Sequence, residues 1–322
     1  MKSLSYPCGW SSCLPLEVRP LAGPRNAEET PTSARGRLTT KMDEALAVLK
    51  PFLGLETTEA GVATIRLTDD VLTAAQDLES IQALRGLLEH VAHSPQKAVL
   101  CITTPRCFSA KQCDTLWQHL GSLEGRRLDN FLFPDALTSI AVRREENICY
   151  WLFKWLRSVP KPVIMTFRGE VAFPLLGVGL ACDHRIASSD AVFFNRSHDR
   201  DVPPATGLLY TLPACIGLAR AASLMMRCRE MTAQEAFDMG LMDQVVPDEQ
   251  LESSARLTAA VAAKRCSPNT VAAVKLLLSQ HLPPLDEFFA VEVKEVERAT
   301  VRRPWAKFCG PSVAPTQHKG TR

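Results

Sequence analysis

The sequence lacks a long apolar run and a strong excess of charge of either sign. No apolar stretch in its 322 residues approaches the roughly 18–20 residues that a membrane-spanning helix needs, which predicts a soluble chain. The 37 basic and 35 acidic side chains leave a net charge of only +2, too little to attract nucleic acid or an acidic membrane. We therefore expect neither a membrane nor a nucleic-acid partner.

A metal-binding cysteine motif is also missing. The 11 cysteines include no Cys-x-x-Cys pair, and the seven histidines do not stand at zinc spacing from them, so we expect no metal. Four cysteines lie inside apolar stretches, which predicts buried reduced thiols, as in the cytoplasm or an organelle interior. They are Cys101, Cys149, Cys182 and Cys215.

Composition divides the chain into four parts. Residues 1–41 are rich in Pro, Ser, Thr and Gly and are predicted to be a disordered tail. Four arginines in this tail leave organelle import open as an alternative to a cytoplasmic location, although its glutamates weaken that reading. A core at 42–255, a helical region at 256–302 and a flexible tail at 303–322 follow.

Strand and helix patterns alternate through the core. GVATIRL, from Gly61, shows the alternation of a half-buried strand at Ala63, Ile65 and Leu67. The segments 97–104 and 162–167 are continuous apolar strands of the kind that a sheet buries on both faces. Helical spacing lies between these strands, so the grammar is that of a mostly parallel α/β sheet. Two helical patterns carry the spacing: Ile81, Leu84, Leu88 and Val91, then Ile148, Trp151, Leu152 and Trp155.

The last third carries helix-start signals. Thr232 and Glu235 have capping-box spacing, and Gly240 is placed to close that helix. Ser267-Pro268 predicts the start of another helix, with one apolar face. That face consists of Val271, Val274, Leu277 and Leu278.

Four motifs in register resemble the crotonase superfamily of enoyl-CoA hydratases, isomerases and related acyl-thioester enzymes. GVATIRL resembles the family's first strand, and TTPRCFSAKQCD resembles its first oxyanion loop. The segment from Lys161 through LACDHRIASSDAVF resembles the family's most characteristic stretch. MTAQEAFDMGLMDQVVP matches a late helix-turn-strand, so the resemblance covers about three quarters of the chain, from Gly61 to about Ala299.

The resemblance implies an α/β fold: a crotonase-like spiral of β-β-α units with a helical C-terminal region that packs across subunits in a homotrimer or hexamer. It implies a coenzyme A or carrier-bound acyl thioester as substrate or ligand, and no separate cofactor. The family chemistry stabilises a thioester enolate with two backbone N–H groups while carboxylates move protons. Such donors must be in place before charge develops, and helix starts suit this task.

The resemblance places the two donors on Gln112 and Pro174. Gln112 follows Phe108-Ser109-Ala110-Lys111, where Lys111 stands in place of a glycine. If that position needs a positive φ, Lys111 would adopt it only at a cost in free energy. The alternative is a loop that keeps the family's backbone path but no longer donates to a ligand. Pro174 has no N–H to donate, and a one-residue slip would put Leu175 in its place.

The same register replaces both family glutamates. The first corresponds to Gly177, which carries no proton-transfer group, and the second to Ser197. His198 and Asp199 adjoin Ser197 and are candidate proton shuttles, with a polar surface loop as the alternative. Cys107 and Cys113 are interpreted as ordinary thiols, because no base is evident beside them.

Two functions follow as hypotheses. The first is a divergent thioester enzyme with altered proton-transfer groups, which could catalyse dehydration or decarboxylation of the polyketide type. The second is a catalytically silent crotonase-fold protein that binds thioesters or partners and oligomerises. Ordinary hydration is disfavoured, because both glutamates are replaced.

Overall fold

A computed structural model describes most of the chain. It covers residues 43–58, 61–68, 78–115, 150–196, 202–227 and 230–301. The predicted tails at 1–41 and 303–322 lie outside these ranges, as do Cys149 and Ile148.

A six-stranded sheet forms the centre of the molecule. Its strand order is β1-β2-β3-β4-β6-β9, with β1 antiparallel to β2 and every later pair parallel. A second sheet of three strands has the order β5-β7-β8. The strands are β1 (Leu53–Thr57), β2 (Val62–Leu67), β3 (Ala98–Thr103), β4 (Val163–Phe167), β5 (Glu170–Ala172), β6 (His184–Ser188), β7 (Val192–Phe194), β8 (Glu230–Thr232) and β9 (Gln244–Val246).

Eight helices with described bounds connect and cover these strands. Residues 43–49, 110–115 and 150–158 are helical as well. The eight are α1 (Leu78–His93), α2 (Phe173–Leu180), α3 (Leu208–Ile216), α4 (Leu218–Arg227), α5 (Ala233–Asp238), α6 (Asp248–Arg265), α7 (Pro268–Ser279) and α8 (Leu285–Val301).

Both faces of the large sheet are buried, as the apolar runs predicted. Alternate residues of β3 face opposite ways: Val99 joins the main core, and Leu100 joins a smaller core beneath α6. In α6 the buried positions Ala255, Ala259 and Ala263 recur every four residues, and these small side chains let the helix lie close to the strands. The predicted boundary at residue 255 falls inside this helix.

The prediction of a half-buried first strand was wrong. Val62, Ala63, Thr64 and Ile65 are all buried, whereas the alternation pattern required exposed residues between the apolar ones. The physical reason is position, because β2 pairs with β1 on one side and β3 on the other, and both of its faces meet a core.

The helix-start predictions were confirmed. Thr232 and Glu235 form a reciprocal capping box at α5, and Gly240 follows that helix with φ +81°. The Ser267 hydroxyl accepts from the Thr270 amide at the start of α7. The apolar face of α7 does not enter the core, however. The buried residue of that helix is Lys275.

Cysteine burial follows the prediction in part. Cys101 and Cys182 are buried, and burial raises the pKa of the Cys101 thiol to about 12. Cys215 is exposed, because α3 places it on the outer side of the helix. Among the described residues, no helix combines the length and apolar character required to cross a bilayer. The described side chains also contain no group of three or more His, Cys, Asp or Glu suited to a metal ion.

Candidate functional site

The candidate site lies at the first turn of α2, where β4 and β5 deliver the chain. Phe173, Pro174 and Leu175 form this turn, and Phe173 and Leu175 are buried. The first N–H groups of a helix have no partner inside the helix, and the helix dipole makes this end electropositive. No side chain caps this start, so the turn offers backbone donors.

Pro174 occupies the second helical position and accounts for part of this geometry. Its ring suits the first turn because the missing N–H would have no helical acceptor. Backbone donation therefore falls to its neighbours Phe173 and Leu175, the latter being the residue that a one-residue slip would select.

The loop at 104–109 lies beside this helix start. The Ala172 amide donates to the Phe108 carbonyl at 3.1 Å, which ties the loop to the residue before α2. Gly169, at φ +63°, lets the Pro105 carbonyl approach, because a β-carbon there would collide with it. The structure thus brings together the two segments that the resemblance implies as oxyanion loops.

Strain in this loop is at Phe108 and not at Lys111. Phe108 has φ +58°, and Lys111 lies in the helical residues 110–115. A cost at Lys111 was expected only if that position needs a positive φ, and the helical conformation of Lys111 requires none. The glycine-like conformation occurs three residues earlier in the chain.

Gln112 has a second use that the sequence did not indicate. Its side-chain Oε1 accepts from the Phe108 amide at 2.8 Å, which holds the strained residue. Its own amide lies 3.4 Å from the Ser109 hydroxyl, the position of a helix cap. The Gln112 amide is therefore a donor at a helix start, and a bound ligand would have to compete with Ser109 for it.

Gly177, which stands in the place of the first family glutamate, is closely packed. A β-carbon built there would lie 2.8 Å from the Thr206 hydroxyl and 3.0 Å from the Leu208 amide. The Thr206 hydroxyl also donates to the Pro174 carbonyl at 2.6 Å. The turn at 206–207 therefore fills the space into which a side chain at 177 would project.

Ser197, His198 and Asp199 lie outside the described residues. The described chain immediately before them is anchored: Arg196 pairs with Asp114 at 3.2 Å, in the helical stretch that contains Gln112. After the gap, Val202 leads into Thr206 beside Gly177.

One acidic residue of the site escaped the sequence reasoning. Glu292 of α8 is 8% exposed, and both of its carboxylate oxygens accept from the Gly207 amide at 3.2 Å. Desolvation raises its pKa to about 7, although the Gly207 and Thr206 amides oppose the shift. The available signal was a glutamate on the apolar helix face shared with Phe289 and Val296, three residues before it and four after.

Similarity to known proteins agrees with this arrangement. Residues 143–299 match the family model for enoyl-CoA hydratase/isomerase. A probable enoyl-CoA hydratase of Mycobacterium tuberculosis is 39% identical over 97 residues, which are 30% of this chain and 34% of that protein. The trans-2-decenoyl-acyl-carrier-protein isomerase of Streptococcus mutans is 32% identical over 127 residues, 39% of this chain and 47% of that protein. The matches thus span between a third and a half of these relatives.

Solved structures extend the likeness to most of the fold. An enoyl-CoA hydratase from Bacillus halodurans superimposes with a TM-score of 0.63 at 18% identity, over 80% of this chain and 97% of that one. Its likeness concerns the fold alone, because the identity is low. Together with the four motifs in register, it shows that the chain has the crotonase fold, and residues 143–299 are similar to the enoyl-CoA hydratase/isomerase family.

Proposed function

We propose that this protein binds an acyl thioester at the first turn of α2 and does not add water to it. The observation that carries this proposal is the packing at Gly177, where the Thr206 hydroxyl and the Leu208 amide take the space of a proton-transfer side chain. Hydration needs one group to activate water and another to deliver a proton. Gly177 supplies neither, and the surrounding backbone leaves no room for a replacement at that position.

The donors for a thioester oxygen are retained in part. The uncapped amides of Phe173 and Leu175 lie in the turn that follows Ala172, which is bonded to the loop at 104–109. The Gln112 amide lies at the start of the helical residues 110–115 that follow this loop. Backbone donors at two helix starts suit an oxygen that carries negative charge. The ligand proposed is therefore a coenzyme A or carrier-protein thioester, with no separate cofactor. The carrier-bound alternative is supported by the name of the Streptococcus mutans relative.

Crotonyl-CoA tests the absence of hydration directly. The purified chain is incubated with this thioester, and the loss of enoyl absorbance is followed. We expect no hydration, together with heat of binding for butyryl-CoA in a calorimeter. Rapid hydration would contradict the proposal. If the protein bound none of the thioesters tested, the proposal that its ligand is an acyl thioester would be wrong.

The same samples decide between the two readings of the sequence. Mass analysis of incubations with acyl-CoA and acyl-carrier thioesters would reveal dehydration or decarboxylation as a change in mass. Such turnover, abolished by His198→Ala or Asp199→Ala, would make the protein an enzyme with altered proton-transfer groups. Binding without any turnover would make it a catalytically silent member.

Restoring the missing carboxylate should fail. We expect Gly177→Glu to gain no hydration of crotonyl-CoA and to lose stability, because its side chain meets Thr206 and Leu208. The expected loss is about 1–3 kcal/mol, the usual cost of overpacking. Unfolding in urea measures it. Gly86→Glu is the matched control, since nothing lies within 4 Å of a β-carbon at that helical glycine. Hydration by the Gly177 variant would show that the wall can move.

A further inference from the structure

Two strained residues flank the first turn of α2. Thr206 and Phe108 are the non-glycine residues with positive φ among the described positions, at +68° and +58°. A β-branched residue rarely adopts this conformation, and such strain persists only where neighbouring contacts hold it. Each of the two contacts the helix start: Phe108 through the Ala172 amide, and Thr206 through the Pro174 carbonyl.

A side-chain oxygen from another part of the chain holds each strained turn. Gln112 Oε1 accepts from the Phe108 amide, and the Glu292 carboxylate accepts from the Gly207 amide, next to Thr206. Gln112 is local to its turn, but Glu292 lies 85 residues away on α8. Burial of a carboxylate costs free energy, because desolvation opposes its charge, and hydrogen bonds to backbone amides offset part of that cost.

Aromatic rings surround the turn that Glu292 contacts. A β-carbon at Gly207 would contact the rings of Phe153 and Phe289, and both residues are almost fully buried. Phe153 also packs edge-on against Tyr210 of α3. The turn at 206–207 is therefore clamped between aromatic rings, and Glu292 supplies the polar contact from α8.

We propose that Glu292 is a positioning residue for the thioester site. It holds the Gly207 amide, and so keeps the Thr206 hydroxyl on the Pro174 carbonyl and the first turn of α2 in place. The donors of that turn then stay directed at the ligand. The link to the thioester rests on the proposed function, whereas the link from Glu292 to α2 stands on the contacts alone.

Amide hydrogen exchange tests the second link without any ligand. Glu292→Leu removes the acceptor and Glu292→Gln keeps one, so the first should speed exchange at 202–207 and 173–176 and the second should not. Val296→Ala is the matched control: it weakens the packing of α8 one turn further along, where the side chain is 4% exposed. If Val296→Ala and Glu292→Leu affect α2 equally, or if Glu292→Gln behaves as the leucine variant does, the proposal is wrong.

Binding of butyryl-CoA by the same variants tests the first link. Loss of a hydrogen bond to a charged group predicts an affinity about tenfold weaker for Glu292→Leu, with Glu292→Gln close to the wild type. Equal affinity in all variants, despite altered exchange at α2, would overturn the positioning of the site. A wild type that binds no thioester would refute the proposed function. The hydrogen-exchange result would then still test whether Glu292 holds the first turn of α2. Should Glu292→Leu fail to fold, Thr206→Val breaks the same path at its other end, and unchanged exchange at 173–176 would overturn the proposal.

Discussion

At the scale of single residues, the shape of the site depends on a proline, a glycine, a strained threonine and a buried glutamate. Pro174 occupies a helix start because its missing N–H costs nothing there. Gly177 allows a turn to lie against α2, and Thr206 accepts a strained backbone to form that turn. Glu292 is buried and accepts hydrogen bonds from backbone amides. These four residues therefore shape the first turn of α2 and the turn at 206–207 that lies against it.

Glu292 should make stability depend on pH. Its folded pKa of about 7 lies above the ordinary 4.5, so the folded state binds the proton more tightly than the unfolded state does. The stabilisation is complete below the unfolded pKa and is lost as pH rises towards 7. Glu292→Gln should lose this part of the pH dependence, which amounts to about 3 kcal/mol over the window. Urea unfolding of both proteins at pH 5 and pH 8 measures the difference. The same slope in both would contradict the shift.

At the scale of secondary-structure elements, α7 is held by one polar contact set. Lys275 donates to the carbonyls of Leu156 and Lys161 at 3.0 and 3.1 Å, and it pairs with Asp183 at 2.9 Å. Asp183 also accepts from the Val163 amide at 2.8 Å. One ammonium group therefore joins α7 to the helical residues 150–158, to the start of β4 and to the segment after α2.

Removing this ammonium should loosen α7. We expect Lys275→Met to lower the free energy of unfolding by about 2–4 kcal/mol, because it leaves two carbonyls without their donor and the Asp183 carboxylate without its cation. Asp183 is partly exposed, so the expected loss is smaller than the loss for a fully buried ion pair. The urea midpoint, at unchanged slope, is the measurement. Lys264→Met, at an exposed position of α6, is the control and should change stability by less than about 0.5 kcal/mol. Equal effects would show that the contacts of Lys275 contribute little.

At the scale of the whole molecule, an apolar surface remains uncovered. Leu276, Leu277 and Leu278 of α7 are 64%, 67% and 57% exposed. Soluble monomers rarely expose contiguous apolar patches of this kind. We propose that copies of this chain meet at this surface, in the trimer or hexamer that the resemblance implies.

A charge on α7 should separate the copies. Leu277→Glu is expected to reduce the mass measured by light scattering from a multiple of the 35.5 kDa chain to a single chain, because association would bury an unpaired carboxylate. Asn269→Glu places the same charge in the polar first turn of α7 and should leave the mass unchanged. A wild type that is already monomeric would refute the oligomer.

Local patterns were sufficient where the cause of a structure is local. The capping box at Thr232, the helix start at Ser267 and the doubly buried strand at 98–103 depend on neighbours in the chain, and each was predicted. The exposed face of α7 and the burial of both faces of β2 at residues 62–65 were not, because burial depends on what packs against an element. The apolar pattern of α7 is the same whether a core or another copy of the chain covers it.

The order of residues alone was enough to predict the fold of this protein, because four motifs in register indicate where its strands and helices lie. The replacement of family residues at Pro174, Gly177 and Ser197 stays a prediction from the resemblance. The fold added what distance along the chain conceals: Thr206 and Glu292 lie 32 and 118 residues after Pro174, yet one bonds to its carbonyl and the other holds the adjoining turn. Contacts between distant segments arise when the sheet and helices close around a common core, so they cannot be inferred from spacing.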